Sequence, residues 1–131
     1  MEFDELLTEG VKRGASDLHL KPGARPILRV HGELVPQEDL TVISKEFMET
    51  AAKRLLGPTR YAALEEGKEM DLAHLVPGIG RFRANLFLAK GQIRGVRRAI
   101  PARIPAFEEL RLPKVLEKLA MERRGMIMVT G

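Results

Sequence analysis

Residues 80–100, GRFRANLFLAKGQIRGVRRAI, decide the fold of this chain. Apart from Arg97, apolar or small residues occupy every second position on both sides of Ala89-Lys90-Gly91, which is typical of a β-hairpin with a tight turn. One face of the hairpin is predicted to carry Phe82, Ala84, Leu86, Leu88, Ile93, Gly95, Arg97 and Ala99. The opposite face is predicted to carry Arg81, Arg83, Asn85, Phe87, Arg94, Val96, Arg98 and Ile100.

The residues before this hairpin predict a sheet flanked by helices. Apolar spacing over 2–13 indicates a helix, and alternation indicates strands at 17–21 and 70–76, with a hairpin over 27–35 that turns near 31–33. Ser44 is predicted to cap a helix that ends at Gly57-Pro58, and a second helix covers 58–66. The fold class is therefore predicted to be α+β, with an antiparallel sheet.

The residues after the hairpin predict a second unit. Pro101 and Pro105 make the segment 100–105 extended and stiff, as in a linker between domains. Pro113 is expected to open a helix that runs to about Met121. The apolar run 125–131 resembles a buried parallel strand, which has no partner in the preceding sheet. Its Thr130-Gly131 end fits a strand entering a phosphate-binding loop, although these two residues alone are weak evidence.

Composition excludes several classes of protein. The chain has 131 residues and no cysteine, so disulfides, thiol catalysis and cysteine-ligated metals are excluded. It has no apolar run long enough for a membrane span, and its acidic start does not resemble a secretory signal, which favours a cytosolic protein. Residues 72–107 contain no Asp or Glu but many arginines, which indicates an anionic partner or, alternatively, a solvated strand surface.

Six segments resemble, in order and at similar spacing, the motifs of PilT-like type IV pilus retraction (twitching motility) ATPases within the type II/IV secretion ATPase superfamily. They are ASDLHL at 15–20, RVHGEL at 29–34, PGIGRFRAN at 77–85, RAIP at 98–101, FEELRLP at 107–113 and RGMIMVTG at 124–131. The resemblance covers essentially the whole chain. Arg97, where an apolar or aromatic residue is expected, and Arg111, where the family usually has glycine, depart from the pattern.

The resemblance implies a PAS-like N-terminal domain at 1–99, a linker at 100–106, and the start of a RecA-like ATPase domain at 107–131 that stops at the first glycine of the Walker A loop. It also implies a homo-hexamer, assembled through contacts between N-terminal and ATPase domains at the cytoplasmic side of the inner membrane, where it meets the pilus platform protein. The intact protein would hydrolyse ATP with Mg²⁺. Residues 1–131 alone are expected to hold neither cofactor and to have no catalytic or metal-binding residue. The short N-terminus favours retraction over the pilus extension and type II secretion relatives, which remain alternatives.

The resemblance also implies which residues contact nucleotide. Arg83, Arg98 and Arg81 would approach the phosphates from the N-terminal domain, Phe107 would contact the adenine ring, and Gly131 would begin the phosphate loop. The alternatives are that the arginines pair with acids at a subunit interface, in a domain without nucleotide contact, and that Phe107 only anchors a helix. A nucleic-acid site is not expected, because single-strand binders use several exposed aromatics.

Two acidic features are given other interpretations. Asp17 and His19 share a strand face without a nucleophile or a metal partner nearby, which favours a structural role. The cluster Glu65, Glu66, Glu69 and Asp71 is either a solvated helix end or a surface for a neighbour's basic patch.

Overall fold

A computed structural model describes all residues 1–131 as three helices and one six-stranded sheet. The elements in chain order are α1 (Phe3–Lys12), β1 (Asp17–Leu20), β2 (Ile27–Val30), β3 (Glu33–Pro36), α2 (Lys45–Glu65), β4 (Met70–Val76), β5 (Gly80–Ala89), β6 (Gln92–Ile100) and α3 (Val115–Ala120).

The sheet has the strand order β3-β2-β1-β6-β5-β4, and all its neighbouring strands are antiparallel. Its centre is therefore the pairing of the first strand with the last, which joins residues far apart in the chain. The α+β class and the antiparallel sheet predicted from sequence are confirmed.

Local sequence explains where the helices and turns fall. The Ser44 hydroxyl accepts a hydrogen bond from the Phe47 amide at 3.0 Å, which caps α2 as predicted. Gly57 has φ 71° and ψ 175°, so α2 is two helices joined at a kink just before Pro58. Lys90 and Gly91 have φ 52° and 70°, and positive φ at both central residues suits a two-residue hairpin turn.

The hydrophobic core lies on one face of the sheet only. Both α1 and α2 cover this face, with Leu7 and Ala52 almost completely buried against Leu20, Phe82 and other strand residues. The alternation predicted for 80–100 is confirmed on this side, because Phe82, Ala84, Leu86 and Ile93 are buried. The opposite face has no helix against it and remains open to solvent.

Arg97 lies on the core face, at a position where an apolar or aromatic residue is expected. Its side chain is 1% exposed, and the guanidinium carbon lies 4.0 Å from the centre of the Phe3 ring. No protein atom accepts a hydrogen bond from any of its three guanidinium nitrogens. Burial lowers the pKa of Arg97 to about 9, with partial opposition from Asp4, so the side chain is still charged at neutral pH.

Residues 101–131 do not pack on the sheet. Every one except Leu116 is exposed, and the backbone hydrogen bonds of 106–122 join residues within that same stretch. The prediction of a buried strand at 125–131 is wrong for this structure: the run is unpaired and Met128 is 79% exposed, because a parallel strand needs neighbouring strands that these residues do not have. The helix after Pro113 forms but covers only Val115–Ala120.

The last strand and the segment after it each show one further backbone feature. Strand β6 covers Gln92–Ile100, which confirms the strand predicted on this side of the hairpin turn. Arg111 has φ 54°, a left-handed conformation in which glycine is the least strained residue, which fits the glycine that the resemblance implies at this position.

Candidate anion-binding site on the open face of the sheet

Four charged side chains form a row across the open face. Strand register places Arg83 directly opposite Arg98, Arg98 directly opposite Asp17, and Asp17 directly opposite Arg29. Neighbouring strands lie about 4.8 Å apart, so these side chains are immediate neighbours. We call Arg83, Arg98, Asp17 and Arg29 the charged row. It carries three positive charges and one negative charge.

An open depression of about 200 Å³ lies at the Arg83 end of the charged row. Its lining consists of Asp17, Asp71, Arg83, Ala84, Asn85, Val96 and Arg98. Like charges directly opposite one another on a sheet repel, and nothing in the register places an acid between Arg83 and Arg98. The arrangement therefore favours an anion, which would relieve the repulsion between the two guanidinium groups.

Asp17 pairs with two of the three arginines of the charged row. Only 5% of its side chain is exposed, and its two carboxylate oxygens accept from Arg98 Nε at 2.9 Å and pair with Arg29 Nε at 3.4 Å. Ser16 Oγ donates to the same carboxylate at 2.9 Å. Burial raises the pKa of the Asp17 carboxyl, but the hydrogen bonds from Arg98 and Ser16 outweigh it, so its pKa lies below the usual value.

Arg98 lines the depression, and its two terminal guanidinium nitrogens are available to a ligand. Asp17 binds its Nε, and the Arg98 side chain is 72% exposed. No protein atom accepts a hydrogen bond from its two terminal nitrogens, Nη1 and Nη2. A guanidinium presented this way can bind two oxygens of one phosphate or carboxylate.

The sequence analysis missed Arg29 and the part played by Asp17. Arg29 donates from Nη1 to the Gly32 carbonyl at 2.8 Å, so its side chain is tied to the β2–β3 turn. The alternation of β1 and β2 shows which residues of each strand share a face with Asp17 or with Arg29. Only the strand register shows that these two residues lie on the same face of the sheet. The structural role expected for Asp17 agrees with its contacts to Arg98 and Arg29.

The structure brings together two of the five predicted nucleotide-binding residues. Arg83 and Arg98 share the depression, whereas Arg81 is exposed one step along β5, opposite Ile100. Phe107 and Gly131 belong to the exposed segment 101–131 and do not line the depression. Their predicted contacts with adenine and phosphate stay predictions.

The predicted acidic cluster is only partly connected to this site. Asp71 lines the depression and accepts a hydrogen bond from Asn85 at 3.2 Å. Glu65, Glu66 and Glu69 are exposed around the end of α2 and do not line it. Asp71 is thus a carboxylate in the depression that takes no part in holding the arginines.

Known proteins match this chain over its full length. It is 34% identical to the type IV pilus ATPase PilU of Pseudomonas aeruginosa, covering 100% of this chain and 34% of that protein. It is also 34% identical to the type IV pilus retraction ATPase PilT of the same organism, covering 100% of this chain and 38% of PilT. The chain thus spans about a third of the length of these curated relatives. No protein-family model matches it.

Solved structures share the fold. The crystal structure of the pilus retraction motor PilT with bound ADP superposes with a TM-score of 0.78 at 31% identity, over 93% of this chain and 36% of that one. The ATPase DotB of Legionella pneumophila gives a TM-score of 0.72 at 24% identity, over 93% of this chain and 35% of that one, and supports the fold alone. No helix of the present chain has both the length and the apolar character required to span a membrane.

Proposed function

We propose that this chain is the nucleotide-sensing and assembly module of a motor that retracts type IV pili. The chain belongs to the PilT-like pilus ATPase family and matches the amino-terminal part of its members over its own full length. In this proposal residues 1–99 form the sensing domain, residues 100–106 the linker, and residues 107–131 the start of the ATPase domain. The intact protein would bind ATP with Mg²⁺, form a homo-hexamer, and work in the cytoplasm at the inner membrane against the pilus platform protein.

The observation that carries the sensing role is the direct opposition of Arg83 and Arg98 in an open depression. Two adjacent guanidinium groups that share no counterion suit the oxygens of a polyphosphate, whose charge they would neutralise. An anion bound there would draw this face of the sheet toward whatever domain supplies the rest of the nucleotide site. The two prolines of the linker, Pro101 and Pro105, would carry that movement along the chain.

The test uses full-length protein with Arg83→Ala and Arg98→Ala, singly and together. Each single change is expected to weaken ATP affinity by about tenfold to a hundredfold, because a hydrogen bond to a charged group contributes roughly 1.5–3 kcal/mol. Lys68→Ala is the matched control, since it removes one exposed positive charge from the α2–β4 connection, outside the depression. Equilibrium binding and steady-state hydrolysis give the affinity and the turnover.

The oligomeric state of the same variants separates sensing from pure assembly. Unchanged ATP affinity and turnover in both arginine variants would contradict the sensing role. Loss of the hexamer by light scattering, with ATP affinity intact, would favour a ring-interface domain without nucleotide contact. Pilus length and twitching in cells that carry the full-length variants would distinguish retraction from extension.

A further inference from the structure

We propose that Asp17 is a positioning residue that aims Arg98 at the bound phosphate, an inference that rests on the nucleotide-sensing function proposed above. A carboxylate beside an anion site ordinarily weakens anion binding by repulsion. The structure points to the opposite effect here, a strengthening of anion binding. The reason is that the Asp17 carboxylate binds Nε of Arg98 rather than the terminal nitrogens.

The first argument concerns which nitrogen of the Arg98 guanidinium donates its hydrogen bond to Asp17. Asp17 Oδ1 accepts from Arg98 Nε at 2.9 Å, on the side of the group nearest the backbone. The far edge, with Nη1 and Nη2, is left for a ligand and can donate two parallel hydrogen bonds. Without the anchor, a 72% exposed arginine would sample many rotamers, and binding would have to overcome that lost freedom.

The second argument is that Asp17 itself is fixed. It is 5% exposed in a central strand, and it is held by Ser16 and Arg29 as well as by Arg98. A buried carboxylate with three partners has little room to turn toward an incoming ligand. Asp17 therefore acts as a rigid support, and its own charge is already balanced by Arg29.

The third argument is the contrast with Asp71. This second carboxylate lines the same depression, but its side chain contacts Asn85 and no arginine. Removing the charge of Asp71 takes away repulsion without releasing an arginine, and asparagine keeps an acceptor for Asn85. Removing the charge of Asp17 takes away the Arg98 anchor as well, so the two changes are expected to have opposite signs.

The experiment measures ATP affinity, KM and kcat for full-length Asp17→Asn, Asp71→Asn, Arg98→Ala and the double variant Asp17→Asn/Arg98→Ala. Asp17→Asn is expected to weaken ATP binding about fivefold to tenfold, with the effect mainly in KM. Asp71→Asn is expected to tighten ATP binding, because it removes a negative charge from the depression. The double variant is expected to bind like Arg98→Ala alone, since Asp17 acts through Arg98.

The outcomes separate this inference from the proposed function. If Arg98→Ala weakens binding and Asp17→Asn does not, the positioning role is overturned while nucleotide sensing stands. Tighter binding in both aspartate variants would also overturn it, because simple repulsion would then account for both. If Arg98→Ala has no effect on affinity, the sensing function itself fails, and the positioning role fails with it.

A second variant guards against loss of folding. Asp17→Glu keeps the charge and the buried pairing but moves the carboxylate by one methylene group. It is expected to retain the cooperative urea transition and to bind ATP more weakly than the wild type. Wild-type affinity in a folded Asp17→Glu protein would contradict the need for a precisely placed carboxylate.

Discussion

At the scale of single residues, two neighbours on β6 show opposite uses of arginine. Arg97 points into the core and stacks on Phe3, whereas Arg98 points to solvent and binds Asp17. The alternation of a strand puts them on opposite faces, so the sequence predicts this difference in direction. It does not predict that Arg97 is buried without a protein hydrogen-bond partner, because that depends on which residues of α1 lie over the strand.

Replacing Arg97 by methionine is expected to stabilise the fold. Burying a charge without hydrogen bonds is costly, and an apolar side chain of similar length keeps the packing against Phe3. We expect the free energy of unfolding to rise by about 1–3 kcal/mol, measured by urea denaturation at pH 7.

The neighbouring positions provide the controls for that prediction. Arg98→Met is expected to lower stability, since it leaves the buried Asp17 carboxylate with one arginine fewer. Arg81→Met, at an exposed site on the same face as Arg98, should change stability by less than about 0.5 kcal/mol. A clear loss of stability in Arg97→Met would mean that the buried guanidinium makes a favourable interaction in solution.

At the scale of secondary-structure elements, the break in α2 depends on one glycine. Gly57 combines φ 71° with ψ 175°, a region that is essentially restricted to glycine. An added Cβ at Gly57 would meet no atom within 4 Å, so any cost of a side chain there comes from the backbone alone. Gly57→Ala is expected to lower the free energy of unfolding by about 1–3 kcal/mol.

Gly10 is the matched control for this prediction. It lies inside α1 with ordinary helical geometry, and an added Cβ would meet only Leu28 Cδ2, at a normal 3.6 Å. Gly10→Ala is expected to raise stability by about 0.5–1 kcal/mol, since alanine favours a helix interior. Both variants are compared by chemical denaturation, and equal effects would show that helix propensity, not the kink, governs position 57.

The elements themselves were largely predictable, and their mutual placement was not. Periodicity indicated every strand of the sheet, and Ser44 and Gly57-Pro58 gave the ends of the first α2 helix. The register between β1 and β6 is a long-range property, because it pairs Asp17 with a residue that is 81 positions away. The charged row depends on that register, which explains why Arg29 and the anchoring by Asp17 could not be inferred from spacing.

At the scale of the whole molecule, the chain divides into a packed part and an exposed part. Residues 1–100 contain the sheet and all of the hydrophobic core. Residues 101–131 carry many exposed apolar side chains, including Ile104 at 91% and Val129 at 93% exposure. The stability of the sheet should therefore be independent of the second part.

Removing residues 101–131 is expected to leave the free energy of unfolding unchanged within about 0.5 kcal/mol. Urea denaturation of residues 1–100 and of residues 1–131 makes the comparison. Hydrogen exchange on the longer chain should show fast exchange throughout 101–131 and slow exchange in β1, β5 and β6. A large loss of stability on truncation would mean that the segment docks on the sheet in solution.

The pairing of the first strand with the last also constrains how the protein can be made. On the ribosome, β1 emerges early, but its pairing with β6 cannot form until β6 has been synthesised. Strand β6 lies between β1 and β5, so the sheet is not continuous before then. Contacts this distant in the chain form late and slowly. During synthesis the growing chain therefore carries an unfinished edge until Ile100 has left the exit tunnel. Arg98 meets Asp17 in that same closing step, so the depression beside the charged row forms only in molecules whose sheet is complete.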